Sequence, residues 1–336
     1  AREMSREIQV NPIQPPHLLA GRLVDRWLAA SAGDWNRALA PTATDGDALT
    51  RILGGYYRAL ILEHRRQYDQ ADAQYRQLLL DGTAAEMTRL PYGEFLERRG
   101  RSVEAVALYD AGLAQGADPM LLAARERAAT RGRPPALLSI REGAALALSH
   151  AAAAAALSDA HEFVIAYLRM SLTLDPAKGE AWLMLGDALN EIGMSSTARD
   201  AWAQTPANAP EYVEAQIRIA SSLDEDGQGD EAVRVARAVA DGQPGPTSAF
   251  TLAALLSGHE QYDAALAVLN GPALVGVEDW TLLFLRGAAE ERRGDHAAAE
   301  AAFQRALVLS PDQAEVLNYL GYMWVERGDR LEEGLA

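Results

Sequence analysis

Six histidines, His17, His64, His150, His161, His259 and His296, are the residues here best suited to proton transfer or metal ligation. Their spacing fits neither HExxH nor another metal-binding pattern. The run Asp224 to Asp230 (DEDGQGD) carries the carboxylates and the Gly229 of a calcium loop. The loop's closing bidentate glutamate is replaced by Val235, however, and the run coincides with a repeat turn. There is no phosphate-binding P-loop, no dinucleotide fingerprint and no G-x-S-x-G nucleophile turn. Without cysteine, thiolate nucleophiles, thiolate metal sites and disulfides are excluded. No catalytic residue, cofactor or metal is expected.

The elements that carry the remaining polar residues are helices, and they repeat. In Leu283 to Gly321, Gly287 lies mid-helix, Gly294-Asp295 forms a turn, and Ala299 and Phe303 fall one turn apart on a second helix. Pro311 ends that helix, and Gly321 repeats Gly287 at 34 residues. The small residue of the first helix recurs at Ala152, Gly186, Ala220, Ala253, Gly287 and Gly321. That of the second helix recurs at Ala198, Ala232, Ala265 and Ala299. Pro176, Pro210 and Pro244 keep the same step, which is harder to obtain by chance than matches among alanines. Trp182, Leu185, Leu189, Trp202, Phe303, Leu317, Leu320 and Trp324 are expected to fill the space between helix pairs.

Earlier in the chain the register is looser. Gly33-Asp34-Trp35 fits an inter-helix turn, with Pro41 ending the helix after it; pairs are expected over 52–85 and 86–118, with Gly100 in a turn. Arg131-Gly132-Arg133-Pro134-Pro135 cannot continue a helix, because each proline lacks a donor and restricts its predecessor. The organisation expected is an irregular arm over 1–17, repeats over 18–130, a linker over 131–142 and a repeat array over 143–336. Charge changes at that linker: residues 1–142 carry a net +1 and 143–336 a net −17. An acidic field of this size disfavours nucleic acid and anionic lipid and favours a basic partner. No apolar run reaches the ~20 residues of a membrane span.

The pattern of a small residue, a turn, A-x3-F and a closing proline at this period resembles the tetratricopeptide repeat superfamily. Arg141-Glu142-Gly143-Ala144-Ala145, Leu174-Asp175-Pro176 with Leu185-Gly186-Asp187, and Leu317-Asn318-Tyr319-Leu320-Gly321-Tyr322 resemble multi-repeat proteins of Gram-negative bacteria, especially alphaproteobacteria. The resemblance implies an all-α, right-handed superhelical solenoid that binds protein along a concave wall formed by the first helix of each pair. It places the partner-binding residues at Glu180, Asp187, Asn190, Glu191, Ser221, Asp224, Glu225, Phe284, Glu291, Arg292, Asn318 and Tyr322, with Phe284 and Tyr322 as exposed aromatic anchors. A chaperone-type carboxylate clamp is not expected, since the corresponding positions are acidic or apolar and Lys178 is the sole lysine.

The expected function is a non-catalytic scaffold or adaptor holding a protein or peptide, a basic one by charge. The alternatives are a self-associating structural subunit of an envelope assembly, or an adaptor presenting substrates to an envelope protease. The resemblance points to the bacterial periplasm or cell envelope, and a cysteine-free chain suits the cytoplasm equally. Leu335-Ala336 would fall inside a second helix with no capping helix after it, so a truncated chain or a partner covering that end is expected; the oligomeric state is open.

Overall fold

The computed structural model describes residues 16–41 and 48–328, all of whose regular structure is helical. Residues 1–15 of the arm expected over 1–17 and the expected uncapped end at 329–336 lie outside the described residues, and the last two residues of that arm, 16 and 17, belong to a helix. The chain divides into two compact units at 188/189.

The first unit holds α1 (Pro16–Ser31), α2 (Trp35–Ala38), α3 (Ala48–His64), α4 (Tyr68–Leu79), α5 (Gly82–Arg98), α6 (Ser102–Leu113), α7 (Pro119–Ala129), α8 (Ile140–Ala156), α9 (His161–Leu174) and most of α10 (Gly179–Glu191). The expected pairs are α3/α4 and α5/α6. The α5/α6 pair closes where a small residue meets a ring: a side chain at Gly93 would stand 2.2 Å from the Tyr109 ring. Tyr75, Tyr92 and Phe95 stack around that contact, with ring centroids 5.2–6.1 Å apart.

Residues 131–139 form no helix, as their prolines require. Helix α8 begins directly after, at a capping box in which Ser139 Oγ accepts from the Glu142 N–H and Glu142 accepts from the Ser139 N–H. Packing continues across this segment. Arg98 donates to the Pro135 carbonyl at 3.3 Å, α1 lies along α8 with the Trp27 ring over Gly143, and Tyr57 of α3 hydrogen-bonds His150 of α8 at 2.7 Å. The α8 helix is therefore flanked by α9 and by α1. The broken repeat register accompanies this arrangement: α7 is followed by extended chain, not by a partner helix of its own.

The second unit holds the end of α10, then α11 (Ser195–Trp202), α12 (Tyr212–Glu225), α13 (Gly229–Gly242), α14 (Pro246–Gly258), α15 (Tyr262–Leu269), a 3-10 turn (Pro272–Leu274), α16 (Trp280–Arg292), α17 (His296–Leu309) and α18 (Ala314–Arg327). Ala198, Ala232, Ala265 and Ala299 are all fully buried. With no side chain beyond Cβ, each lets the helices of its pair approach closely, at interior packing density. Phe303 fills the space over Gly287, 2.6 Å from where a Cβ would stand. One core expectation is corrected: Leu317 is 49 % exposed. Its neighbours at helical spacing, Val316, Leu320 and Met323, form the buried stripe of α18 and turn Leu317 to the other side.

Candidate functional site

The first helix of each pair carries the expected binding positions. In the first unit, Glu180 stands exposed on the first turn of α10, 3.4 Å from Lys178, and Asp187 is half-buried further along. In the second unit, Asn190 is half-buried, and Glu191, Ser221 and Glu225 are exposed. Asp224 is not an open groove carboxylate: it meets His259 Nε2 at 2.6 Å. Asp226, next in the calcium-like run, pairs with Arg199 at 2.6 Å. That same guanidinium also donates to the Ser222 carbonyl near the C-terminal end of α12, where cations suit the helix dipole.

Four of the expected residues converge. Glu291 and Arg292 on the last turn of α16 face Asn318 and Tyr322 on α18 across a cavity of about 370 Å³, completed by Tyr319 and Glu326. Asn318, Tyr322 and Glu326 repeat every four residues, so α18 presents them as one stripe. The Glu291 side chain is 20 % exposed, its Oε2 is buried without a hydrogen-bond partner, and Arg292 Nε lies 3.5 Å away. Tyr319 foremost, then Glu291, holds the Arg292 guanidinium above its usual value. Tyr322, in the lining, is 66 % exposed, and Val325, three residues further along α18, is 38 % exposed.

Phe284 does not serve as an exposed anchor. It is half-buried, edge-on to Tyr319 at 5.5 Å and tilted against Phe303 at 5.9 Å, and so belongs to the core between α16, α17 and α18. Tyr319 lines the pocket without having been among the expected binding residues. The available signal was an aromatic three residues before Tyr322, close enough on a helix to share a face with it.

The histidines are dispersed. His150 is half-buried with its ring stacked on Tyr57 at 5.9 Å, and desolvation pushes its imidazole down to about 4. His259 is held by Asp224, His64 ends α3, and His296 opens α17 behind the Asp295 cap. Among the described residues no group of His, Cys, Asp or Glu is arranged to hold a metal, and no helix is long and apolar enough to cross a membrane.

Residues 280–323, the α16–α18 segment that forms this pocket, match the tetratricopeptide repeat family model. No curated protein matches in sequence. Among solved structures, the chain is similar to MamA from Desulfovibrio magneticus at 22 % identity, over 46 % of this chain and 89 % of that one, with a TM-score of 0.41. It is similar to PilF of Pseudomonas aeruginosa at 14 % identity, over 70 % and 96 % of the two chains, with a TM-score of 0.44. It is also similar to PilW, a type IV pilus biogenesis factor, at 15 % identity over 70 % and 98 %, with a TM-score of 0.46. Residues 280–323 thus carry a tetratricopeptide repeat, within described residues whose regular structure is all α-helical or 3-10.

Proposed function

We propose that this chain is a non-catalytic adaptor that holds a peptide segment of a partner protein in the α16/α18 pocket. The observation that carries the reading is the Glu291 carboxylate oxygen, buried at the pocket without a hydrogen-bond partner. That oxygen has Arg292 Nε 3.5 Å away but makes no hydrogen bond, so it can still accept one from an incoming N–H donor. Glu326 adds a second negative group, while the Tyr319 and Tyr322 rings offer faces to a cation. The segment that suits this lining has an arginine or lysine side chain beside an apolar one. Lys or Arg would enter between the carboxylates, and its apolar neighbour would lie on Tyr322 and Val325. An acidic second half is consistent with attraction of such a segment from solution.

Selection from a random displayed-peptide library tests this. Peptides retained by the protein should be enriched in Arg or Lys, and should lose binding to Glu291→Gln and Tyr322→Ala while the far-ultraviolet circular dichroism of both variants is unchanged. Selected peptides without a cation, or binding the variants equally, would overturn the assignment.

A second reading is self-association through the same end of the array. It is favoured by the exposed Val308, Leu309, Leu317 and Val325 on α17 and α18. Light scattering on Val308→Ser/Leu317→Ser separates the two: a dimer that this variant abolishes without altering peptide binding supports self-association.

A further inference from the structure

The turns that close the helix pairs need one residue in the left-handed conformation. Glycine supplies it at Gly33, Gly100, Gly193, Gly227 and Gly294. In the first unit three non-glycine residues also take it: Arg66 at φ 59° between α3 and α4, Asp159 at φ 51° between α8 and α9, and Arg131 at φ 56° in the chain that leaves α7. An L-residue is strained there by the approach of its Cβ to the backbone, a strain glycine avoids. At the two arginine positions the strained turn carries an exposed guanidinium.

These are not isolated charges. Arg65, Arg66, Arg99, Arg131 and Arg133 are all exposed in the turns that follow α3, α5 and α7. Two lie over aromatic rings: the Arg65 guanidinium carbon is 4.5 Å from the centroid of Trp35, and that of Arg99 is 3.7 Å from the centroid of Tyr68. Each ring restrains its guanidinium, and both arginines remain exposed. The turns are drawn side by side by Arg98, which grips Glu63 of α3 at 2.8 Å and the Pro135 carbonyl at 3.3 Å. The nearby carboxylates are spent internally: Glu63 on Arg98, Glu97 on Arg127 and Glu104 on Arg101. Asp34 caps α2, and Asp69 is the exposed acid beside the row.

We propose that this row is a docking ridge for an acidic segment of another protein. With neighbouring helices roughly 8–10 Å apart, three adjacent turns span roughly 20 Å, the length of an extended segment of about six residues. Each guanidinium can take a carboxylate through two parallel N–H donors. A long polyanion such as nucleic acid would carry its charge beyond the ridge into the field of a chain with net charge −16. A short acidic segment interacts over about a Debye length, ~8–10 Å, and so meets mainly the arginines.

The test is fluorescence anisotropy with a labelled octaglutamate peptide, its octaglutamine counterpart and a labelled oligonucleotide of eight nucleotides. The octaglutamate should bind, the octaglutamine should not, and added salt should weaken the complex. The double variant Arg66→Gly/Arg131→Gly relieves the two strained turns and should melt no lower than the parent. Its affinity for octaglutamate should nevertheless fall by roughly tenfold, through loss of two charge-assisted contacts. Equal affinity of parent and variant would overturn the proposal, as would no binding at low salt. A tighter complex with the oligonucleotide would also overturn it, since the ridge would then read phosphate.

Discussion

Acid should loosen the first unit through one residue, His150. Its Nδ1 accepts the Tyr57 hydroxyl hydrogen bond at 2.7 Å, inside the contact between α3 and α8. Tyr57 is fully buried and its phenol is pushed well above its ordinary value, so it stays a donor. Burial is the largest cause of the depressed imidazole; Glu180 pulls the other way and Lys178 adds to the depression. The imidazole falls from 6.5 in an open chain to about 4 in the fold. Between those values the unfolded chain binds more protons than the folded one, so stability rises with pH across that window. The loss is absent above about 6.5 and complete below about 4; two and a half pH units at 1.36 kcal/mol each make it about 3 kcal/mol. The comparison is His150→Asn, whose amide oxygen can stand where Nδ1 stood and accept from Tyr57 without titrating. Hydrogen exchange in α8 peptides, corrected for the intrinsic pH dependence, should show the parent losing protection relative to the variant on going from pH 7 to pH 4. Parallel profiles would refute the argument, because every other titrating group is shared by the two proteins.

Two further outcomes follow from the packing of the same unit. Gly93→Ala puts a Cβ 2.2–2.4 Å from Tyr109 ring atoms, and that ring is fully buried and tied to Glu97 at 2.8 Å. The overpacking cost of about 1–3 kcal/mol or more exceeds the ~1 kcal/mol alanine gains over glycine in a helix, so the melting temperature should fall. Gly82→Ala, with open space around it, should leave it unchanged or higher. Glu63→Ala leaves the Arg98 guanidinium, 14 % exposed, without its carboxylate, and urea titration should show a loss of about 3–5 kcal/mol.

The helix pairs were readable because glycine, alanine and proline recur in fixed places along the chain, and each has a local reason to be there. Gly294 turns at φ 86°, Ala299 is fully buried, and α17 ends at Leu309, before Pro311. The convergence of Glu291, Arg292, Asn318 and Tyr322 followed from the same repeat. What the repeat could not disclose was pairing between repeats. Asp224 is engaged by His259, and Phe284 by Tyr319, each from a neighbouring helix. Which side chains meet there depends on rotamers and packing, which spacing does not encode. The lodging of Trp27 over Gly143 was further out of reach, since no periodicity links α1 to α8. The strained arginines likewise became visible only as backbone angles; in the sequence they are ordinary turn residues.

The meeting of α1 and α3 with α8 changes how this part of the chain should come apart. Stacked repeats that touch only their neighbours unfold piecemeal, as a one-dimensional array of loosely coupled links. Here Tyr57 and His150 are 93 residues apart in sequence. A contact that distant must close a long loop before it yields any return, which raises the contact order and slows folding relative to a simple helical array. Once closed, it makes the intervening helices answer to one another, so α4 to α7 should not fray from one end as ordinary terminal repeats would. The first unit should therefore melt as a single cooperative block, and a cut between α7 and α8 should cost it far more than the few hydrogen bonds that lie at the cut.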